Sequence, residues 1–322
     1  MRSPARTVTL ELLTEARPGG LWRERFRTVW PHYRSWLEAS EWSPAESAAA
    51  ARRRLALELP ELLPTYEALC SLAGDDEEAH RFLALYRPPP FLAGCSALAT
   101  TAPEPLLVRN YDYRPDRWEG TIWRTNWRRP VLAAGDCLWG ALDGINADGL
   151  AVALVFGGRR VVGDGFGIPL LVRFLLETCG SVADCRAAVP RLRSHMAYSL
   201  LVADPGGDRQ VIHLAPDRAP RLDPRPYLSN FQGAPEWPEY ARATRAVERF
   251  ERLAALEATG SGERGLGAAF RLPPLASDDF EHSFGTLYTA TYRPVTRSVH
   301  YQLPDESFEF EVGTGLPADK EN

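Results

Sequence analysis

The run RPPPF at residues 87–91 limits the fold more than any other feature of the chain. Proline fixes φ near −65° and has no N–H to donate, so three in succession end a helix and stiffen an extended segment. The chain must change character there. Upstream, LWRERFRTVWPHYRSWLEA, SPAESAAAARRRLALELPELLPTYEALCSLA and DDEEAHRFLALY place apolar residues three and four apart, with serines and acids at their starts. That spacing predicts a mostly helical first third. Downstream, LLVRNYDY, TIWRTNW, VLAAG, LWGALDGI and GLAVALVFGG read as strands, the last two joined as a hairpin through Asn146, Ala147 and Asp148. Two helices follow in IPLLVRFLLETC and SVADCRAAVPRL. Strands return in YSLLVAD, RQVIHLAP and PYLSNFQ, then one long helix over residues 238–256, and a final strand pair TLYTATYRP and SVHYQLP. Strands, then helices, then strands predict α+β layers and not alternating βαβ units. TGSGERGLG reads as a loop and the residues after Gly315 as a polar tail.

Bulk properties exclude several functions. At 322 residues and 45% hydrophobic the chain can bury a large core, and its formal net charge of −5 comes with no basic stripe of the kind nucleic acid or an anionic membrane selects. No run reaches the eighteen apolar residues of a membrane span, and MRSPARTVTLELL lacks the apolar centre of a secretory signal, which predicts the cytoplasm. The five cysteines are an odd number without a C-x-x-C or a histidine cluster, so neither a disulfide framework nor a metal is expected. Cys70, Cys137, Cys179 and Cys185 read as packing residues.

Cys95 is different because of its neighbours. It follows Gly94, and Arg109 and Asp112 come after it in VRNYDY. A cysteine attacks as thiolate and needs a base or a positive neighbour to reach that state near neutral pH. His32 and His80 lie in the helical third, and His195, His213, His282 and His300 carry no triad signature, so an uncleaved Cys/His hydrolase using His195, His213 or His282 stays open. The alternative needs no histidine. If the bond before Cys95 is cut, the freed α-amino group, with a pKa of about 7.7–8.0, serves as base to its own thiol. Gly94 would then allow a strained turn that brings Sγ onto the Gly94 carbonyl. Without Cys95 upstream, Arg109 and Asp112 would read as a buried strand ion pair, and Asn146 beside Asp and Gly reads equally as a turn residue. Trp118, Trp123, Trp127 and Trp139 read as core, with one or two available to line an acyl pocket. GDGFG at residues 163–167 lacks the lysine and spacing of a phosphate cradle.

GCSALATT, VRNYDY, DGINADGLAV, GFGIPLLVRFLLET, YLSN and TLYTATYRPVTRSVHYQLP, in that order, resemble the C45 peptidase family of cysteine N-terminal-nucleophile (Ntn) hydrolases, the acyl-coenzyme A:6-aminopenicillanate acyltransferase group. The resemblance spans residues 90–310. It implies a four-layer αββα sandwich at residues 95–322, preceded by a mainly helical region at 1–94 that is cut at Gly94 and Cys95 and stays bound. It implies amide hydrolysis or acyl transfer through a Cys95 thioester, without a cofactor, on a small acylated amine or an acyl-coenzyme A-like substrate. By the same resemblance Arg109 and Asp112 orient the thiol and the new amine, and Asn146 and Asn230 supply oxyanion donors. Tyr111, Phe231 and Arg245 become candidate substrate contacts, with Phe231 standing where many relatives carry histidine. A further family arginine on the helix after Asn230 corresponds to Arg245 or Arg249, although both read first as solvated arginines on a charged helix face, and Ser199 replaces a common asparagine. A catalytically silent binding module on the same scaffold is the reading from another class.

Overall fold

The computed structural model describes residues 8–40, 47–280 and 284–313. Helices dominate the start: α1 (Gly20–Ala39), α2 (Ala48–Glu58), α3 (Leu63–Ala73) and α4 (Glu77–Leu83). Ser47 and Asp76 cap α2 and α4, their side chains accepting from the N–H of Ala50 and Ala79. The strand β1 (Glu11–Glu15) precedes them, so the first third is not purely helical. Its signal is the alternation of Val8, Leu10 and Leu12, all of which pack against the core.

From residue 94 the chain builds two sheets. β2 (Gly94–Thr100) and β3 (Leu106–Tyr113) begin one of them. β4 (Thr121–Thr125), β5 (Val131–Asp136), β6 (Gly140–Asn146) and β7 (Ala151–Phe156) form a meander in the other. After α5 (Ile168–Thr178) and α6 (Val182–Ala188), the meander continues with β8 (Tyr198–Ala203), β9 (Arg209–Ala215) and β10 (Arg218–Asp223). The chain then returns to the first sheet through β11 (Tyr227–Leu228). The helices α7 (Pro238–Ala243), α8 (Ala246–Thr259) and α9 (Glu263–Phe270) follow, and β12 (Gly285–Arg293), β13 (Ser298–Gln302) and β14 (Ser307–Glu311) close it.

The strand orders are β1-β4-β5-β6-β7-β8-β9-β10 and β11-β2-β3-β12-β13-β14. Within them β1 runs parallel to β4 and the other pairs are antiparallel. β2 and β3 face β7 and β8 across the interior, α5 covers β6 and β7, and α8 and α9 cover β2, β3 and β12. This is the αββα sandwich. Alternation on β2 divides its side chains: Cys95, Ala97 and Ala99 enter the core between the sheets, and Leu98 packs with Leu253, Leu266 and Phe270 of the outer helices.

Three expectations are corrected. The helix over 238–256 is two helices, because Thr244 turns its hydroxyl back to the Tyr240 carbonyl at 2.8 Å and Arg245 takes a left-handed φ of 53°. The loop at TGSGERGLG ends at Gly262, and α9 starts there with Leu266 and Phe270 buried. β10 and β14 join as edge strands. β10 has no apolar alternation to read, whereas SFEFE in β14 does alternate.

Candidate active site

Cys95 pairs across the ladder with Tyr111, and Arg109 lies two residues from Tyr111 on the same face of β3. Arg109 donates from Nη2 to Cys95 Sγ at 3.1 Å. Its Nη1 donates to the Asp143 carboxylate on β6, in the opposite sheet, and both side chains are wholly buried. Asp143 also accepts from the hydroxyls of Tyr288, Tyr292 and Tyr301. The rings of Tyr111 and Tyr288 flank the guanidinium at 4.9 and 5.7 Å. A fixed positive charge therefore stands beside the thiol. Burial nevertheless pushes the Cys95 thiol up to about 11, with Arg109 pulling it down and Asp112 pushing it up. At neutral pH the thiol is therefore protonated.

Asp112 lies on the other face of β3, opposite Gly94. Arg249 of α8 donates to its Oδ2 from a buried guanidinium, and Thr286 Oγ donates to Oδ1 at 2.6 Å. A Cβ on residue 94 would sit 3.0 Å from Asp112 Cβ and 3.2 Å from Oδ2, so glycine leaves room for the carboxylate against the Gly94–Cys95 peptide. Gly94 is paired in β2 and does not occupy the left-handed region, so its reason is space and not the strained turn expected from sequence.

Asn230 brackets the same peptide. Its Oδ1 accepts from the Cys95 N–H at 3.1 Å, and its Nδ2 donates to the carbonyls of Ala93 at 3.3 Å and Phe156 at 3.2 Å. Tyr240 of α7 donates its hydroxyl to the same Ala93 oxygen at 2.7 Å. Two donors thus converge on one carbonyl oxygen, two residues before Cys95. Gly158, at φ 64°, allows this approach, since a Cβ there would stand 2.1 Å from the Asn230 carbonyl.

Two cavities adjoin the site. A smaller one of about 230 Å³ is lined by Gly94, Asp112, Arg245, Arg249, Ser277 and Phe284. A larger one of about 530 Å³ lies between α1 and the segment after β3, with Tyr33, Trp36, Phe91, Tyr113, Glu119 and Asp136 among its walls. Tyr113 and Phe284, whose rings stack at 6.0 Å, each line one cavity.

Several expected residues stand elsewhere. The Asn146 amide donates to the carbonyls of Leu176 and Cys179 at 2.9 and 2.8 Å and accepts from the N–H of Asp148 and Leu150, which holds its hairpin to the end of α5. With every position engaged, it is not free to donate to an oxyanion; the turn reading wins. Phe231 packs on Phe250 at 4.9 Å and lines neither cavity, and Tyr111 is interior beside Arg109. Arg245 pairs with Glu248 at the rim of the smaller cavity. Arg249 is not a solvated helix residue: it is buried on Asp112. Trp118 lines the larger cavity, whereas Trp123 and Trp139 are core.

Among the described residues neither His195 nor His213 hydrogen-bonds the thiol. Burial pushes His195 down to about 4; its Nδ1 lies 3.2 Å from the Phe166 carbonyl and its Nε2 has no hydrogen-bond partner among the described residues. His213 lies between Ser199, at 2.7 Å, and Asp223, at 3.4 Å. That chain is what Ser199 makes in place of an asparagine. His282 lies outside the described residues. Sequence reading passed over Asp143, Tyr240 and Thr286. An acid inside the apolar strand GALDGI was a usable signal for the first; nothing in the sequence marked the other two.

The larger cavity holds a buried acid, Asp136. The Tyr33 hydroxyl bridges Glu119 Oε1 and Asp136 Oδ1, the latter at 3.0 Å. Burial, and then the Glu119 charge, pushes the Asp136 carboxyl up to about 7, against the Tyr33 hydrogen bond. A carboxyl raised above its unfolded value of about 3.9 adds stability that is complete below that pH and is lost as pH rises through about 7. The wild-type melting temperature is therefore expected to fall relative to Asp136→Asn between about pH 4 and 8; scans at matched pH giving parallel curves would contradict it.

A thiol near the start of an inner strand, in two packed sheets held between helical layers, defines the Ntn-hydrolase class. The chain belongs to the acyl-coenzyme A:6-aminopenicillanic acid acyl-transferase family, whose profile matches residues 100–307. The matched span begins after Cys95 and takes in Arg109, Asp112 and Asn230. Among solved structures, a variant of the conjugated bile acid hydrolase from Clostridium perfringens is similar at 13% identity and a TM-score of 0.50, over 71% of this chain and 94% of that one. The N-acylethanolamine-hydrolyzing acid amidase ortholog of Caenorhabditis elegans matches at 17% identity, 66% and 94% coverage and a TM-score of 0.44. Penicillin V acylase from Agrobacterium tumefaciens matches at 12%, 68% and 78%, and 0.40. At such identity the first of these speaks for the fold alone. A comparison with curated proteins gives no match.

Proposed function

We propose that this chain is a self-cleaving Ntn amidohydrolase or acyltransferase with Cys95 as nucleophile. The observation that carries the reading is the Asn230 amide, which spans the Gly94–Cys95 bond, accepting from the Cys95 N–H and donating to the Ala93 carbonyl. Activation begins when Cys95 Sγ attacks the Gly94 carbonyl carbon; the C–N bond breaks and the acyl group moves to sulfur. Water hydrolyses that thioester to a Gly94 carboxylate and a free Cys95 α-amine, which Asp112 faces. Residues 1–94 stay docked as a smaller chain beside the catalytic unit at 95–322.

In turnover the α-amine takes the thiol proton and Sγ attacks the acyl carbonyl of a small acylated amine or acyl thioester. Once Ala93 has moved, Asn230 Nδ2 and Tyr240 Oη donate to the oxyanion at the place its carbonyl held. The leaving amine takes its proton from the Cys95 α-ammonium, and water or a second amine resolves the thioester. Arg109 favours the thiolate throughout. A panel of N-acyl p-nitroanilides and acyl thioesters, quenched early and read by mass, is expected to place one acyl group on a fragment that begins with Cys95. Product release with no adduct on that fragment would sink the proposal.

A further inference from the structure

We propose that the larger cavity binds the ammonium or guanidinium group of a cationic ligand, held by Glu119 and Asp136 inside an aromatic wall. Its volume of about 530 Å³ suits a small molecule. Tyr33, Trp36, Phe91, Tyr113 and Trp118 present rings to it, and Thr28 and His32 stand at its exposed rim. Ring faces attract cations and give nothing comparable to anions.

The two acids point the same way. Glu119 Oε1 accepts from the Leu138 N–H at 2.7 Å as well as from Tyr33, but Oε2 is enclosed with no hydrogen-bond partner among the described residues. The Asp136 side chain is almost fully buried. Among the described residues neither carboxylate enters an ion pair. Of the cations lining the cavity, Arg25 is half-buried and gives its Nη2 to the Glu119 main-chain carbonyl, and Arg117 and His32 are exposed. Two enclosed carboxyls bridged by one hydroxyl hold a proton between them or take in a cation. A ligand cation would satisfy both acids and the rings at once, whereas a neutral ligand forgoes the acids and an anion is repelled.

The position fits a substrate subsite. Phe91 lies four residues before Cys95, and the Tyr113 ring is 5.6 Å from that of Tyr111, the cross-strand partner of Cys95. That the bound cation is part of a substrate rests on the acyl-transfer reading; its binding does not. Because α1 lies upstream of Gly94, the subsite would be shared between the two pieces of a cut chain.

Calorimetry with phenethylamine, 2-phenylethanol and 3-phenylpropionate tests the proposal on the full chain and on Cys95→Ala. In both, phenethylamine is expected to bind about tenfold more tightly than the alcohol, with no detectable binding of the acid. Glu119→Gln and Asp136→Asn should each bring the amine to within about threefold of the alcohol. If either variant does not fold, Trp36→Leu takes its place, with an expected loss of about threefold for the amine alone. Equal affinity for amine and alcohol in the wild type, or an undiminished preference in the folded variants, overturns the site. A Cys95 that never carries an acyl group would defeat the acyl-transfer reading and leave this result standing.

Discussion

Cys95→Ala is expected to run as one chain under denaturing conditions, while the parent separates into a piece ending at Gly94 and a piece beginning with Cys95. The effect is all or none because the scheme has no nucleophile for the Gly94 carbonyl other than the Cys95 sulfur. Burial leaves that thiol protonated, with its pKa pushed up to about 11, so cutting is slow until a base or water reaches it. Gly94→Ala supplies a second arm. The new Cβ meets Asp112 at 3.0 Å, and the carboxylate or the strand must shift by a few tenths of an ångström, which should slow cutting without abolishing it. Intact mass and N-terminal sequencing read both arms. A parent chain that hydrolyses acyl substrates while remaining whole would end the self-cleavage scheme.

The second large effect belongs to Asn230. On protein already cut, Asn230→Ala should lower kcat by about 10²–10³-fold with a much smaller change in KM, the pattern of a donor that acts on the oxyanion more than on the bound substrate. Tyr240→Phe removes the other donor and should cost about 10-fold, since Asn230 still covers the same oxygen. Asn230 also holds the Cys95 N–H before cutting, so the rates must be normalised to the thiols that an electrophilic probe labels. Wild-type kcat in processed Asn230→Ala would remove it from the oxyanion hole.

The layers were legible because hydrophobic periodicity is local: β3, β6, β7 and β8 and the buried α5 stand where their runs of residues placed them. What was hidden depended on partners far along the chain. β10 carries Arg and Pro on an exposed edge and is a strand only because β9 lies beside it. The glycines of ERGLGAAF disguised α9. In the site, Cys95, Arg109, Asp112 and Asn230 come together as their order suggested, but the sequence alone did not tell Asn146 from Asp143. Three residues apart on one strand, one is absorbed by a turn and the other reaches the buried guanidinium. Arg249 was misread because its helix is charged on several sides, although Leu253 and Leu256 already marked that face as buried.

The pairing of β1 with β4 bears on what the two halves of such a molecule owe each other. Residues Glu11 to Glu15 are laddered along Thr121 to Thr125, and the Trp22 and Trp139 indoles donate across the same junction to Leu138 and Leu83. A severed upstream piece would therefore keep one of the eight strands, and the downstream piece made alone would begin life with TIWRT as a bare edge open to pairing with other chains. The upstream third then serves as a built-in folding partner, and supplying it in trans should rescue a downstream piece that otherwise aggregates.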